Sequence, residues 1–268
     1  MQRFASLSRS TLLIVSVLAT SLLFSGKTHA QLVNGDLAGP GLPPGVNAEG
    51  IIPAGQTSST LLTGWTASKS ENADSNVYYY TTNPDAQNGA FFFLNNPPPG
   101  FNYAVQLDST TGNGTQEHFT QGASLSQALF LAPGTYTLSF YISTEVGVDR
   151  GVDKGGTSGV LVSLNGSGIT SGSLTNATFL TTSPVPATRA TAPWTSETAN
   201  FTVGTGSTVT LTFQDDPNPL LGNNVRSSNI GLGGISIAAI PEPAPLTLIG
   251  VGLVSLVGFQ NLLKRRRA

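Results

Sequence analysis

The sequence predicts an all-β fold, an antiparallel two-sheet sandwich of the jelly-roll kind, with an N-terminal signal helix and a single C-terminal transmembrane helix. Three observations carry this. Between Gln31 and Ile240 apolar residues alternate with polar ones instead of recurring at helical spacing. Clusters of Gly, Ser, Thr, Asn and Pro separate the alternating runs. Each end of the chain carries an apolar stretch with cations beside it.

At the start, Arg3 and Arg9 precede an apolar stretch from Thr11 to Phe24, and Thr28-His29-Ala30 places small residues where a signal peptidase inspects the chain. Cleavage after Ala30 is expected, with Gln31 opening the mature protein. The stretch is short for a retained anchor, which is the alternative. The chain contains no cysteine, which rules out both a lipid-modified cysteine at the mature start and a disulfide framework. Residues 31–240 are long enough for one domain to bury a core without such staples.

Within that domain the earliest expected strands are Leu32-Val33, Trp65 to Ala67, Val77 to Thr81, Phe91 to Leu94 and Tyr103 to Leu107. Leu125, Gln127, Leu129 and Leu131 then share one face, and Pro133-Gly134 turns the chain into the clearest strand. There Tyr136, Leu138, Phe140 and Ile142 face one way and Thr135, Thr137, Ser139 and Tyr141 the other. Val160, Val162 and Leu164 follow, before Asn165-Gly166, which reads as a hairpin turn. Ala199, Phe201 and Val203 form another face, as do Val209, Leu211 and Phe213. The closing strand has Ile230 and Leu232, then Ile235 and Ile237, so its register should shift in a bulge at Gly233-Gly234. No helix is expected between Gln31 and Ile240.

Several of these segments, namely Asn34-Gly35-Asp36, Gly64-Trp65, Ala104-Val105-Gln106-Leu107, the run from Pro133 to Phe140 and Gly231 to Ile237, together resemble the galactose-binding-like sandwiches of exported proteins. That family often carries an apolar-Asp-Asp pair in the closing strand. This chain has Gly233-Gly234 there, a departure that weakens any ligand or ion site the resemblance would imply.

The tail reads Pro241-Glu242-Pro243, an apolar run from Leu246 to Leu263, then Lys264, Arg265, Arg266 and Arg267. Eighteen helical residues span about 27 Å, close to the ~30 Å hydrocarbon core. The four cations favour the cytoplasmic side and would leave the preceding domain outside. A buried core helix is the alternative, but the run has no charged face and nothing follows the cations to pack on it. In order and content, residues 241–268 resemble the PEP-CTERM sorting tail of exported proteins in Gram-negative, exopolysaccharide-producing bacteria. The resemblance implies a membrane protease of the exosortase type that cuts near Pro241, Glu242 and Pro243. The organisation expected is thus a signal peptide at 1–30, a sandwich at 31–240 and a sorting tail at 241–268.

Charge separates the three parts. Residues 31–240 hold five cations, Lys69, Arg150, Lys154, Arg189 and Arg226, against thirteen carboxylates, a net charge of −8. Such a domain is a poor partner for nucleic acid, whereas neutral glycans and cations remain open to it.

Candidate chemistry is sparse. His118 is the sole histidine after signal removal and stands without a nucleophile-elbow motif, and zinc lacks ligands. Glycoside hydrolysis needs only two carboxylates, for which Asp108, Glu117, Glu145 and Glu197 are candidates, none preferred. Asp149 and Asp153, and the pair Asp215 and Asp216, read first as solvated turns, with Ca²⁺ as the functional alternative. No cofactor is required. Asn-x-Ser/Thr matches at Asn113, Asn165, Asn176 and Asn200 imply no glycan in a bacterial protein. Aromatic rings suit sugar binding because their faces cover carbon-bound hydrogens. Period-two geometry splits Tyr78-Tyr79-Tyr80 and Phe91-Phe92-Phe93 between the core and the outside, and Trp65 beside Gly64 reads as core. Tyr79, Phe92 and Trp194 are the candidate outward ligands for glycan.

The function expected is that of an exported, non-catalytic protein of the cell surface or extracellular matrix, with possible affinity for exopolysaccharide. Its partners would be signal peptidase, an exosortase-type protease and, before processing, the membrane. A secreted glycan hydrolase on the same sandwich and a purely structural or adhesive matrix protein are the alternatives.

Overall fold

The computed structural model describes residues 32–38, 51–52, 56–69, 76–81, 97–108, 122–144, 148–149, 152–153, 156–172, 174–184, 192–216 and 229–241. The signal segment with Ala30 and Gln31, the expected strand from Phe91 to Leu94, His118, Glu242, Pro243 and everything from residue 244 onward lie outside the described residues. Among the described residues no helix is long and apolar enough to cross a membrane.

The described strands run β1 (Ser58–Ser59), β2 (Thr66–Ser68), β3 (Val77–Thr81), β4 (Tyr103–Leu107), β5 (Ser124–Leu131) and β6 (Gly134–Thr144). After these come β7 (Val148–Asp149), β8 (Val152–Asp153), β9 (Gly156–Asn165), β10 (Ile169–Gly172), β11 (Ala177–Ser183), β12 (Thr195–Val203), β13 (Ser207–Asp215) and β14 (Ile230–Ala239). A first sheet has the order β1-β2-β5-β13-β9-β11 and a second the order β10-β12-β6-β14-β4-β3, while β7 and β8 form a separate ribbon. All pairings are antiparallel. The all-β, two-sheet expectation therefore holds for the described residues.

Alternation builds the core between the sheets. Leu138, Phe140 and Ile142 of β6 are fully buried, and so are Val209, Leu211 and Phe213 of β13 in the facing sheet. Each such side chain contributes roughly 1.5–3 kcal/mol by leaving water. A run of aromatic contacts crosses the sandwich. Trp65 meets Phe213 at 6.2 Å between centroids, Phe213 meets Phe140 at 5.2 Å, and Phe140 meets Phe179 of β11 at 5.0 Å, the last two edge to face. Trp65 is a core residue, as its place beside Gly64 implies, and its Nε1–H donates to the Asn34 carbonyl at 3.0 Å.

Three short connections cross between the sheets at one end of the sandwich. β5 passes to β6 through Ala132-Pro133, β9 to β10 through residues 166–168, and β12 to β13 through residues 204–206. This corrects the hairpin expected at Asn165-Gly166. In the first sheet β9 already lies between β13 and β11, so the chain leaving Asn165 has no vacant edge beside it and arches over to β12 instead. Gly166 suits the arch for another reason: a Cβ there would stand 2.7 Å from Val209 Cγ1. At the first arch Tyr136 Oη donates back to the Ala132 carbonyl at 2.7 Å, a tyrosine-corner arrangement that pins the crossing.

The expected strand at Leu32-Val33 is a turn. Asn34 and Leu37 adopt left-handed backbone angles, φ 56° and 59°, and Leu37 N–H bonds to the Asn34 carbonyl at 3.1 Å, so the segment cannot extend. The bulge expected in the closing strand is present: β14 shifts register against β6 between Gly233 and Ser236, with Gly234 at φ 57°. Strands β1, β10, β11 and the β7–β8 ribbon had no counterpart in the sequence reading.

Candidate functional site

The site is built on the outer face of the second sheet. In β6 the inward Phe140 and Ile142 force Tyr141 and Ser143 to the opposite side. Ser143 pairs with Gly231 of β14, Gly231 with Gln106 of β4, and Gln106 with Tyr78 of β3. Trp194 precedes Thr195, which pairs with Ile142, so the register of β12 brings Trp194 level with Ser143 on the same side. The resulting row has an aromatic at each end, four strand spacings or about 19 Å apart, with hydroxyl, glycine and amide between.

The middle of the row is covered. Gln106 and Ser143 are fully buried although they point away from the sandwich core. Ser143 Oγ donates to the Ala192 carbonyl at 3.1 Å, which ties the segment leading to Trp194 onto the sheet. In the neighbouring row Tyr141 pairs with Gly233, over which Pro98 packs so closely that a Cβ would lie 2.7 Å from the proline ring. Phe101 covers Gly234 and makes a tilted contact with Tyr141 at 5.9 Å. Tyr78, Phe101, Tyr141 and Trp194 are half-buried, so they form a partly accessible aromatic rim around a buried polar floor.

The sequence-predicted residues fall as follows. Trp194 belongs to this rim. Tyr79 does not: it is 3% exposed, faces the core because its register partner is the inward Val105, and stacks on Tyr103 at 5.7 Å. Its neighbour Tyr78 takes the outward position instead. Phe92 lies outside the described residues. Sequence reasoning missed Gln106, Ser143, Phe101 and Tyr141 as site residues, although the small residues Gly231, Gly233 and Gly234 on one strand were a legible sign of close approach from outside.

The calcium candidates are dispersed. Asp149 and Asp153 sit in the ribbon, where Val148 pairs with Asp153 and Asp149 with Val152. Asp215 is no solvated turn residue: it closes β13 and is fully buried, because the alternation that turns Phe213 inward turns Asp215 inward as well. Asp216 is half-buried and its N–H bonds to the Gly159 carbonyl at 3.0 Å. Among the described residues no three His, Cys, Asp or Glu side chains gather in one place. Of the hydrolase candidates, Asp108 directly follows β4 while Glu197 lies in β12, three strand spacings away. That is about 14 Å across the sheet alone, beyond the roughly 5–10 Å of a glycosidase pair. Glu117 and Glu145 are outside the described residues. Burial raises the Glu197 carboxyl above its ordinary value.

No family model and no curated protein matches the chain. Solved structures similar to it include the K1 cleaved adhesin domain of Lys-gingipain from Porphyromonas gingivalis W83, at 14% identity, with 67% of this chain and 92% of that one covered and a TM-score of 0.39. A CBM4 structure is 14% identical over 78% of this chain and 100% of that one, with a TM-score of 0.35. The CBM22-2 xylan-binding domain of Paenibacillus barcinonensis Xyn10C is 10% identical over 67% and 93%, with a TM-score of 0.30. Likenesses this distant assign neither ligand nor activity to the chain.

Proposed function

We infer that the protein is an exported, non-catalytic component of the cell surface or extracellular matrix that binds neutral exopolysaccharide. One observation carries the binding reading. The twelve strands of the two main sheets hold just two charged residues, Asp215 and Glu197, and both occupy inward register positions, Glu197 opposite Phe140 and Asp215 beyond Phe213. With Leu161 and Leu180 as the aliphatic exceptions, the outward positions are mainly hydroxyls, amides, small residues and aromatics. Those groups exchange hydrogen bonds and ring contacts with uncharged sugars and offer no ion pair to a charged partner. Of the −8 charge of residues 31–240, −6 lies outside these strands.

The sorting reading is supported by where the sandwich stops. β14 ends at Ala239, Ile240 N–H bonds to the Thr135 carbonyl at 2.8 Å, and Pro241 follows as an exposed residue. A cut by an exosortase-type protease at Pro241-Glu242-Pro243 would therefore leave every strand intact. Signal peptidase would act after Ala30, and the tail would hold the chain in the membrane between the two events.

Two experiments test this. Mass spectrometry of the native protein from membrane, envelope and culture fluid should find Gln31 at one end and a residue near Pro241 to Pro243 at the other. A mature protein still carrying Arg265, Arg266 and Arg267 would defeat the processing step. Affinity electrophoresis through gels containing neutral polysaccharide should retard the protein, and the same polysaccharide should remain uncut; released oligosaccharides would favour a hydrolase instead.

A further inference from the structure

We propose that the outer face of the first sheet is a flat docking surface for an extended, uncharged polysaccharide chain, with Phe130 as its stacking platform. The proposal rests on the neutral-glycan reading above and places the contact on a different sheet from the aromatic rim of Trp194. It begins with alternation. Leu129 and Leu131 of β5 point inward, so Phe130 and Ala128 point out, and Phe130 is 58% exposed. In β13 the inward Val209 and Leu211 set Thr208 and Thr210 on the same outer side, where both are exposed. Register then makes a tract across three strands: Phe130 opposite Thr208, and Ala128 opposite Thr210, which in turn faces Asn165 of β9.

The parts of this tract have complementary roles. The Phe130 ring leans on the last arch at Gly206, where a Cβ would stand 3.2 Å from its Cζ, so the ring rests against a position that has no side chain. A sugar laid on the ring covers its apolar hydrogens there. Ala128 leaves the next position low, and Thr210 and Asn165 offer a hydroxyl and an amide to the next sugar. Threonine is restricted at χ1, so its hydroxyl loses little freedom on binding. From Thr208 to Thr212 the tract extends about 13 Å along the strand, enough for more than one ring.

The same face argues against other occupants. The six strands of the first sheet contain one charged residue, Asp215, and it is wholly buried, so these strands offer an anionic polymer no cation. Serine, which recurs on this face at Ser124, Ser126 and Ser163, is depleted from protein–protein contacts, whose cores favour several aromatics, Met and Arg. An uncharged polymer fits what is present.

The test uses the full chain, purified in detergent, with soluble β-glucan, galactan and xylan as neutral probes and alginate as the anionic control. Phe130→Ala should weaken retention by the probe that wild type binds about tenfold. Thr210→Val, which keeps shape and removes the hydroxyl, should weaken it by a smaller factor. Both variants should keep the wild-type melting midpoint, because both sites are exposed. If wild type binds and Phe130→Ala binds equally well while Trp194→Ala does not, the surface proposal is overturned and the glycan reading moves to the second sheet. If wild type binds none of the neutral probes, both fall. Tighter binding to alginate than to every neutral probe overturns the uncharged-ligand assignment.

Discussion

Gln127 holds Val33 as a neighbouring strand would. Its side-chain Oε1 accepts from Val33 N–H at 2.9 Å, and its Nε2 donates to the Val33 carbonyl at 2.8 Å and to the Gly64 carbonyl at 2.8 Å. Gln127 is 3% exposed, so all three bonds form at the buried edge of β5. A polar residue among inward leucines thus docks two turns that have no strand of their own. Asn76 does the same elsewhere: its Oδ1 accepts from Ile52 N–H at 3.1 Å and its Nδ2 donates to the Ile52 carbonyl at 3.2 Å.

Replacing Gln127 by Leu should therefore cost more than its volume suggests. The change removes three hydrogen bonds and strands backbone groups of Val33 and Gly64, a loss of about 2–4 kcal/mol. Urea unfolding of wild type and variant measures it. A destabilisation below about 0.5 kcal/mol would mean that water or other groups already satisfy those atoms.

Phe213→Ala tests the aromatic crossing. Phe213 touches both Trp65 and Phe140 and is fully buried, so truncation should destabilise by about 3–5 kcal/mol through lost transfer energy and a cavity. The near-ultraviolet signal of Trp65 should change with it. An unchanged Trp65 signal in a folded variant would deny the contact.

The strands legible in the sequence were the short β2, β3 and β4, bounded by turn residues, and those whose alternation is long and mostly apolar on one side: β5, β6, β9, β12, β13 and the bulged β14. Period-two patterning fixes which residues face the core, as with Leu138, Phe140 and Ile142. It does not say which sheet a strand joins, and so Asn165-Gly166 read as a hairpin although the chain crosses there to the other sheet. β11 was hidden for another reason. Its inward residues are Phe179 with Thr181 and Ser183, and polar inward positions blur the pattern; Thr181 Oγ1 pairs with Thr195 Oγ1 at 3.1 Å and Ser183 Oγ with Thr144 Oγ1 at 2.7 Å. At the site, Trp194 was legible as a lone large ring. Whether Tyr78 or Tyr79 faces outward depends on pairing with β4, and three successive tyrosines carry no such information.

Gly234→Ala should disturb the aromatic rim directly. At φ 57° a Cβ is strained, and it would stand 2.6 Å from the Phe101 ring and 3.0 Å from Tyr141. The variant should lose about 1–2 kcal/mol of stability and release Phe101 from Tyr141. Aromatic-ring NMR shifts of Phe101 and Tyr141 would report the release; unchanged shifts would show that the bulge absorbs the methyl group.

Glu197 makes the acid side of the stability profile testable. Its carboxyl is raised above the ordinary 4.5 by burial, opposite Phe140 at the margin between the sheets. A raised value means that the folded state holds its proton longer than the unfolded chain does. No penalty exists below the ordinary value; the penalty grows as pH rises from there through the raised folded value, then stays constant. Glu197→Gln, neutral throughout, should match wild type in the acid range, at about pH 4. It should become the more stable of the two as pH rises past the raised value. Urea midpoints across this range decide the matter. A difference independent of pH would assign Glu197 a packing role without a titration cost, and a wild type that gains on the variant with rising pH would show that a partner favours the charged carboxylate.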